Sequence, residues 1–273
     1  MLELRLITAV VLASLLLGSL AWGIPTWWGL VLGMFAAIGA WEWSYLAGWR
    51  RTSARVLYTA LITAVLPLLY GLASTSWASG IIFIGALWWV MAAVLVFFYQ
   101  AGHESVPLSG AIRGVMGCAV LVPAWLALLN LFAHPRGVPL LLVLFTLVWL
   151  ADSMAFFAGR RLGRHKLASR VSPGKSWEGF YAGMLASLVP PLVYSVMSDL
   201  PGATLTILVL LCLVCAAFSV VGDLLVSMFK RAAQAKDSGH ILPGHGGVLD
   251  RIDSITAAAP IFATGVCMLE GRL

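Results

Sequence analysis

The sequence predicts an all-α, polytopic integral membrane protein with about nine transmembrane helices, on three observations. Of 273 residues, 61% are hydrophobic and only 10% are charged, against about 25% charged in an ordinary soluble domain. The mean hydropathy is +0.97. A water-facing shell needs polar surface that this chain lacks, and a bilayer removes the need. The apolar residues also gather into runs of the length, about 20 residues, that crosses a hydrocarbon core as a helix.

The nine runs are residues 6–23, 26–48, 54–73, 79–99, 112–133, 137–159, 177–198, 203–229 and 251–270. The first follows Met1-Leu2-Glu3-Leu4-Arg5. Ala21-Trp22-Gly23 is a poor cleavage site, so this run is expected to stay as a helix. Most connections are short; only 160–176 and 230–250 are long and polar. With the N-terminus inside, fifteen of the seventeen Lys and Arg residues fall on the inner side, leaving only Arg136 and Arg272 outside. Such asymmetry is how basic residues orient a membrane protein. It supports a multi-pass protein of the inner (cytoplasmic) membrane, N-terminus in and C-terminus out, with both long loops on the cytoplasmic side. The chain reads as one membrane-embedded domain, 1–273, with its chemistry concentrated in 150–254.

The formal net charge of +6 is accounted for by this inside bias, so no nucleic-acid partner is expected. Cys118, Cys212, Cys215 and Cys267 all fall in apolar stretches, where cysteine is a small packing residue. The eleven acids are more informative. Glu3, Glu104, Asp199 and Glu270 sit in the N-terminal tail, in loops or near a helix end, as surface residues do. Glu42, Asp152 and Asp223 lie within or near the ends of apolar spans, where a carboxylate is costly and marks function by default.

The last loop and its flanking helices read GDLLVSMFKRAAQAKDSGHILPGHGGVLDRIDS, residues 222–254. Asp223, Ser227 and Lys230 are spaced i, i+4, i+7 and share one helix face. Lys236 and Asp237 follow, then Pro243-Gly244-His245-Gly246-Gly247, dense enough in glycine for backbone N–H groups to turn toward an anion. Asp250 and Asp253 stand i, i+3 at the start of the last helix, where carboxylates complement the dipole. They are also the hard oxygen donors that Mg²⁺ takes. Each piece has a plainer reading: a glycine turn, a helix cap, basic anchors. Their convergence on one membrane edge is what those readings leave unexplained.

The earlier loop, ADSMAFFAGRRLGRHKLASRVSPGKSWEGF at 151–180, carries related chemistry. Asp152 precedes Arg160 by a little over two turns. Ser172-Pro173-Gly174-Lys175-Ser176 puts a lysine and two hydroxyls in a glycine turn, a phosphate cradle without P-loop spacing. Trp177 and Glu178 open the seventh helix. Cationic clamps with metal-binding carboxylates suit phosphoryl or nucleotidyl transfer. No strong base stands out, and an ionised phosphate nucleophile needs none.

Residues 227–253, SMFKRAAQAKDSGHILPGHGGVLDRID, resemble the signature of the phosphatidate cytidylyltransferase (CDP-diacylglycerol synthase) family from end to end. Residues 152–179 are similar to its second motif, and GAWEWSYLAG at 39–48 looks like its early helix; the bacterial type is nearest. The strong motifs cover about 55 residues. Ser169 departs, where proline is expected before the basic residue. The resemblance implies CTP and phosphatidate giving CDP-diacylglycerol and pyrophosphate, with Mg²⁺, a K⁺ beside it, and a homodimer. It implies Asp223 and Asp250 at the metal centre, and Lys230, Arg231, Lys236 and Arg251 around phosphates. Asp237, Asp253 and the His245-Gly246-Gly247 turn would shape the nucleotide pocket, with Ser172 and Lys175 completing it and Asp152 beside the substrate. Two other classes compete: an isoprenoid-lipid cytidylyltransferase or lipid-alcohol kinase sharing the nucleotide half, and an ion-coupled transporter. The transporter should show midplane polar residues at a repeat interface, which this chain does not offer.

Overall fold

A computed structural model describes residues 2–73, 75–102, 109–242, 244 and 246–269, with side chains left out for 2–6 and 9. Helices α1 (Leu2–Trp22), α2 (Pro25–Leu46), α3 (Thr52–Tyr70), α4 (Ser76–Gln100), α5 (Gly110–Ala133) and α6 (Gly137–Leu162) lead to a short hairpin, β1 (Lys166–Ala168) and β2 (Ser172–Ser176). Helices α7 (Trp177–Ala186), α8 (Val189–Ser198), α9 (Gly202–Ala232) and α10 (Leu249–Met268) complete the described chain. The boundaries follow local chemistry. Gly23 takes a left-handed φ of 70° just before Pro25 opens α2, where proline's missing N–H costs nothing. The Ser109 hydroxyl accepts from Ile112 N and caps α5, satisfying one of the orphan donors of a helix start.

Each of the nine expected spans meets a helix. By length and hydropathy, α2 to α6, the α7–α8 stretch taken as one, and α9 qualify as membrane spans. The seventh span is not one continuous helix, as its sequence suggested. It breaks at Ser187–Leu188 because Pro190 and Pro191 lack N–H donors and their rings crowd the carbonyls one turn back. Helix α10 does not reach the hydropathy of a span, and its environment explains why. Residues Asp253 to Pro260 are all buried, as are Phe262, Ala263 and Val266. The helix is enclosed by α9, α5, α4, α6 and α2. Hydropathy registers contact with lipid, whereas α10 contacts protein and can carry Asp253, Ser254 and Thr256.

Small residues let α9 and α10 approach closely. At Gly222 a Cβ would collide with the Asp253 carbonyl, so the residue beside Asp223 must be glycine. One apolar core surrounds Trp28, Leu126, Leu140, Phe145 and Phe262. A second, nearer the long loops, surrounds Trp43, Trp89, Met228 and Phe229. On α3 and α4 the outer faces expose Leu57, Leu61, Leu68, Ile84 and Phe97, as lipid-facing helices do.

Candidate active site

The 160–176 segment was expected to form a polar loop with a glycine turn at 172–176. Instead α6 runs on to Leu162 and the chain folds back as β1 against β2, antiparallel, pairing Lys166 with Ser176 and Ala168 with Ser172. Burial of Ala168 and Val171 anchors the hairpin to the bundle, and the Gln100 side chain grips its tip at Ser169 Oγ and Arg170 N. Arg231 Nε donates to the Val171 carbonyl at 3.3 Å, tying the end of α9 to the hairpin.

This hairpin aims Lys175 at α9. Its Nζ lies 2.6 Å from Asp223 Oδ2. The other Asp223 oxygen accepts from Ser227 Oγ at 3.1 Å, one turn further along the same face. Lys175 is also within electrostatic reach of Asp152 and Asp253. Burial disfavours the charged amine, but the three carboxylates outweigh it and raise its pKa above the ordinary lysine value, so the ammonium persists at neutral pH. Asp152 lies close to Ser254 of α10 and within electrostatic reach of Asp223. Three helices, α6, α9 and α10, thus send carboxylates toward one lysine.

The turn between α9 and α10 is built around a second acid. Asp250 Oδ1 receives Lys230 Nζ at 2.7 Å. Its other oxygen accepts from Ser238 N at 2.9 Å and Gly247 N at 3.3 Å. Leu242 and Gly246 exchange backbone hydrogen bonds, and Gly244 and Gly246 adopt positive φ, 77° and 82°, a conformation that favours glycine. Asp237 packs on Gly246, and Lys236 and Asp237 stand exposed at the rim. His245 lies outside the described residues.

Glu42 was singled out in the sequence as a costly carboxylate but given no site role. It is 1% exposed and reaches across from α2. One oxygen accepts from Val248 N at 3.0 Å; the other accepts from Leu249 N at 2.7 Å and Ser238 Oγ at 3.1 Å. It thereby caps the start of α10 from another helix. Gly239 and Gly247 crowd this carboxylate so closely that a Cβ at either would strike it. Its signal in the sequence was the acid in an apolar span; nothing in the sequence named the donors, more than 190 residues away.

A cavity of about 400 Å³ begins at Asp152, Asp250, Arg251 and Asp253. It continues among Leu16, Leu32, Phe35, Trp125, Phe145 and Trp149, between α1, α2, α5, α6 and α10. One end is charged and the rest is apolar, the profile of an amphiphile with an anionic head.

Residues 3–269 match the cytidylyltransferase family. The chain belongs to that family. It is therefore an enzyme of the nucleotidyltransferase class. The phosphatidate cytidylyltransferase of Pseudomonas aeruginosa is 42% identical over 265 residues, covering 96% of each chain. That of Haemophilus influenzae is 36% identical over 281 residues, covering 96% of this chain and 98% of its own. That of Brucella abortus is 35% identical over 271 residues, covering 95% and 91%. In this cytidylyltransferase the acids and bases expected from sequence at 152, 175, 223, 230, 250 and 253 come together. Ser172 is half-buried in β2, and Arg251 lines the cavity mouth.

The donor set also bears on metal. Asp152, Asp223 and Asp253 lie within electrostatic reach of one another and of Lys175, an excess of negative charge that a divalent cation would offset. Among the described residues no three His, Cys, Asp or Glu side chains are arranged to hold a metal alone. Mg²⁺ takes one or two carboxylates and completes its shell with water and substrate phosphates.

Proposed function

We propose that this chain is a phosphatidate cytidylyltransferase, joining CTP and phosphatidate to give CDP-diacylglycerol and pyrophosphate. The observation that carries this reading is a cavity whose apolar interior opens onto charged residues of α6 and α10, Asp152, Asp250, Arg251 and Asp253. A lipid phosphate and a soluble nucleotide can meet only where such a boundary exists.

In the proposed reaction a phosphate oxygen of phosphatidate bonds to the α-phosphorus of CTP. The bond from that phosphorus to the bridging oxygen breaks, and pyrophosphate leaves with the electron pair. The nucleophile is already anionic, so the protein's task is to align two like-charged groups and neutralise them. Arg251, which lines the cavity, meets the lipid phosphate. Lys230, Arg231 and Lys236 line the approach for the triphosphate, and Lys175 keeps its charge beside the acids. His245, Gly246 and Gly247, with Asp237 and Asp253, shape the nucleotide side, with Ser172 on the hairpin. Asp223 and Asp250 would hold Mg²⁺, which supplies charge neutralisation on the triphosphate when bound. A K⁺ beside it, assembly as a homodimer, residence in the inner membrane with this site facing the cytoplasm, and no nucleic-acid partner belong to the same proposal.

The test is direct. Purified protein with labelled CTP, phosphatidate and Mg²⁺ should form a labelled CDP-lipid, and omitting phosphatidate or adding a chelator should abolish it. Labelling of an isoprenoid phosphate in place of phosphatidate would overturn the substrate assignment.

A further inference from the structure

Besides the cavity that opens at the acids, the bundle holds a second space. A groove of about 600 Å³ runs between α2 and α3, lined by Gly29, Gly33, Met34, Leu66, Pro67 and Tyr70. Trp125 of α5 borders both spaces. Its side chain is almost fully buried, at 5% exposure, and its indole Nε1 donates to the Gly29 carbonyl at 3.3 Å. The indole also packs against α2 at Gly33, where a Cβ would lie 3.8 Å from Nε1, in ordinary van der Waals contact. The indole is therefore a partition, pinned by one hydrogen bond, between the charged-mouthed cavity and a groove with no charged lining residue.

We infer that Trp125 is a specificity-determining residue that limits the length and bulk of the acyl chain the cavity accepts. The inference rests on the phosphatidate reading above. Along α6, Asp152 to Phe145 spans seven residues, about 10 Å of helix, and Leu121 to Leu128 spans the same length on α5. A fully extended chain of sixteen or more carbons outruns that depth, so it must bend within the cavity or leave it. The wall that stops it from turning under α2 is the indole. Removing the ring joins the cavity to the groove and gives the chain a second path.

The experiment compares turnover of phosphatidates carrying 16-carbon saturated chains with those carrying 22-carbon chains, in mixed micelles, for wild type and for Trp125→Phe, Trp125→Leu and Trp125→Ala. The ratio of kcat/KM for long over short chains should rise in that order, reaching roughly tenfold above wild type in Trp125→Ala, the low end of what an apolar pocket discriminates by one methylene. Phenylalanine, which keeps a ring but not the N–H, should stay near wild type. If the alanine variant does not fold, the leucine variant carries the test, because it keeps bulk near Cβ but opens the far side. A ratio unmoved in active leucine or alanine variants overturns the partition while leaving the phosphatidate reading intact. A wild-type protein that makes no CDP-lipid from either phosphatidate removes both.

Discussion

Glu42 and Asp223 are both carboxylates placed in apolar spans, and both reach toward the turn-bearing end of the bundle, yet they are stabilised by different partners. Glu42 is held by two backbone N–H groups and one hydroxyl. The two backbone donors cannot leave unless the start of α10 unwinds. Asp223 is held by the tips of two side chains, Lys175 Nζ and Ser227 Oγ, and its side chain keeps 31% exposure. Those partners can be exchanged for a cation or a substrate without disturbing a helix. An acid in a membrane span signals function by default, but the kind of partner decides which function. Main-chain donors make a structural clamp; a mobile cation makes a site.

The sharpest way to break that comparison is to neutralise each acid without changing its shape. Asp223→Asn should lower CDP-lipid formation by about 10³-fold, the scale of losing a preorganised charge in an active site. Lys175 would still face Asp152 and Asp253, so the protein should insert in the membrane and melt close to wild type. Incorporation of labelled CTP and thermal unfolding in detergent measure the two effects separately. Near-normal incorporation in this variant would remove Asp223 from the chemistry.

Glu42→Gln should show the opposite profile. An amide cannot present two acceptor oxygens, so its –NH₂ must face a backbone N–H of α10 or abandon it. Leaving such a buried donor unsatisfied costs about 1–3 kcal/mol, and the expected result is an unfolding temperature lower by several degrees. Turnover should fall with the folded fraction, with KM for CTP little changed at low temperature. A Glu42→Gln protein that melts like wild type but has lost its turnover would place Glu42 in the chemistry and dissolve the distinction.

These two acids also show what the sequence could and could not reveal. The spans were legible because apolar runs of the right length have few alternatives. The i, i+4, i+7 spacing put Asp223, Ser227 and Lys230 on one face, and the structure joins Asp223 to Ser227 while Lys230 crosses to Asp250. Local periodicity reaches that far and no further. The pairing of Lys175 with Asp223 depends on the β1–β2 hairpin, whose strands are too short and polar to stand out as alternating apolar runs. The break between α7 and α8 was written in Pro190-Pro191 but hidden by a hydropathy that stays high across it. The grip of Glu42 on Val248 and Leu249 is a contact between the second helix and the last, which no single-chain pattern encodes.

A third acid, Glu178, bounds the comparison from the solvent side. His165 Nδ1 lies 2.7 Å from Glu178 Oε1, with the histidine side chain 80% exposed. Glu178 also accepts from the His165 backbone N–H at 3.1 and 3.3 Å. His165→Ala removes the ring and keeps that backbone donor, so the hairpin stays closed at the start of α7. Exposed polar contacts contribute little because water already solvates both partners. The expected change is the smallest of the set: turnover within about twofold of wild type and no resolvable change in melting. A larger loss of turnover with unchanged melting would mean that charge on the hairpin's outer side reaches the nucleotide. The distinction between backbone-held and cation-held acids would then need a third class, one that acts on the substrate through solvent.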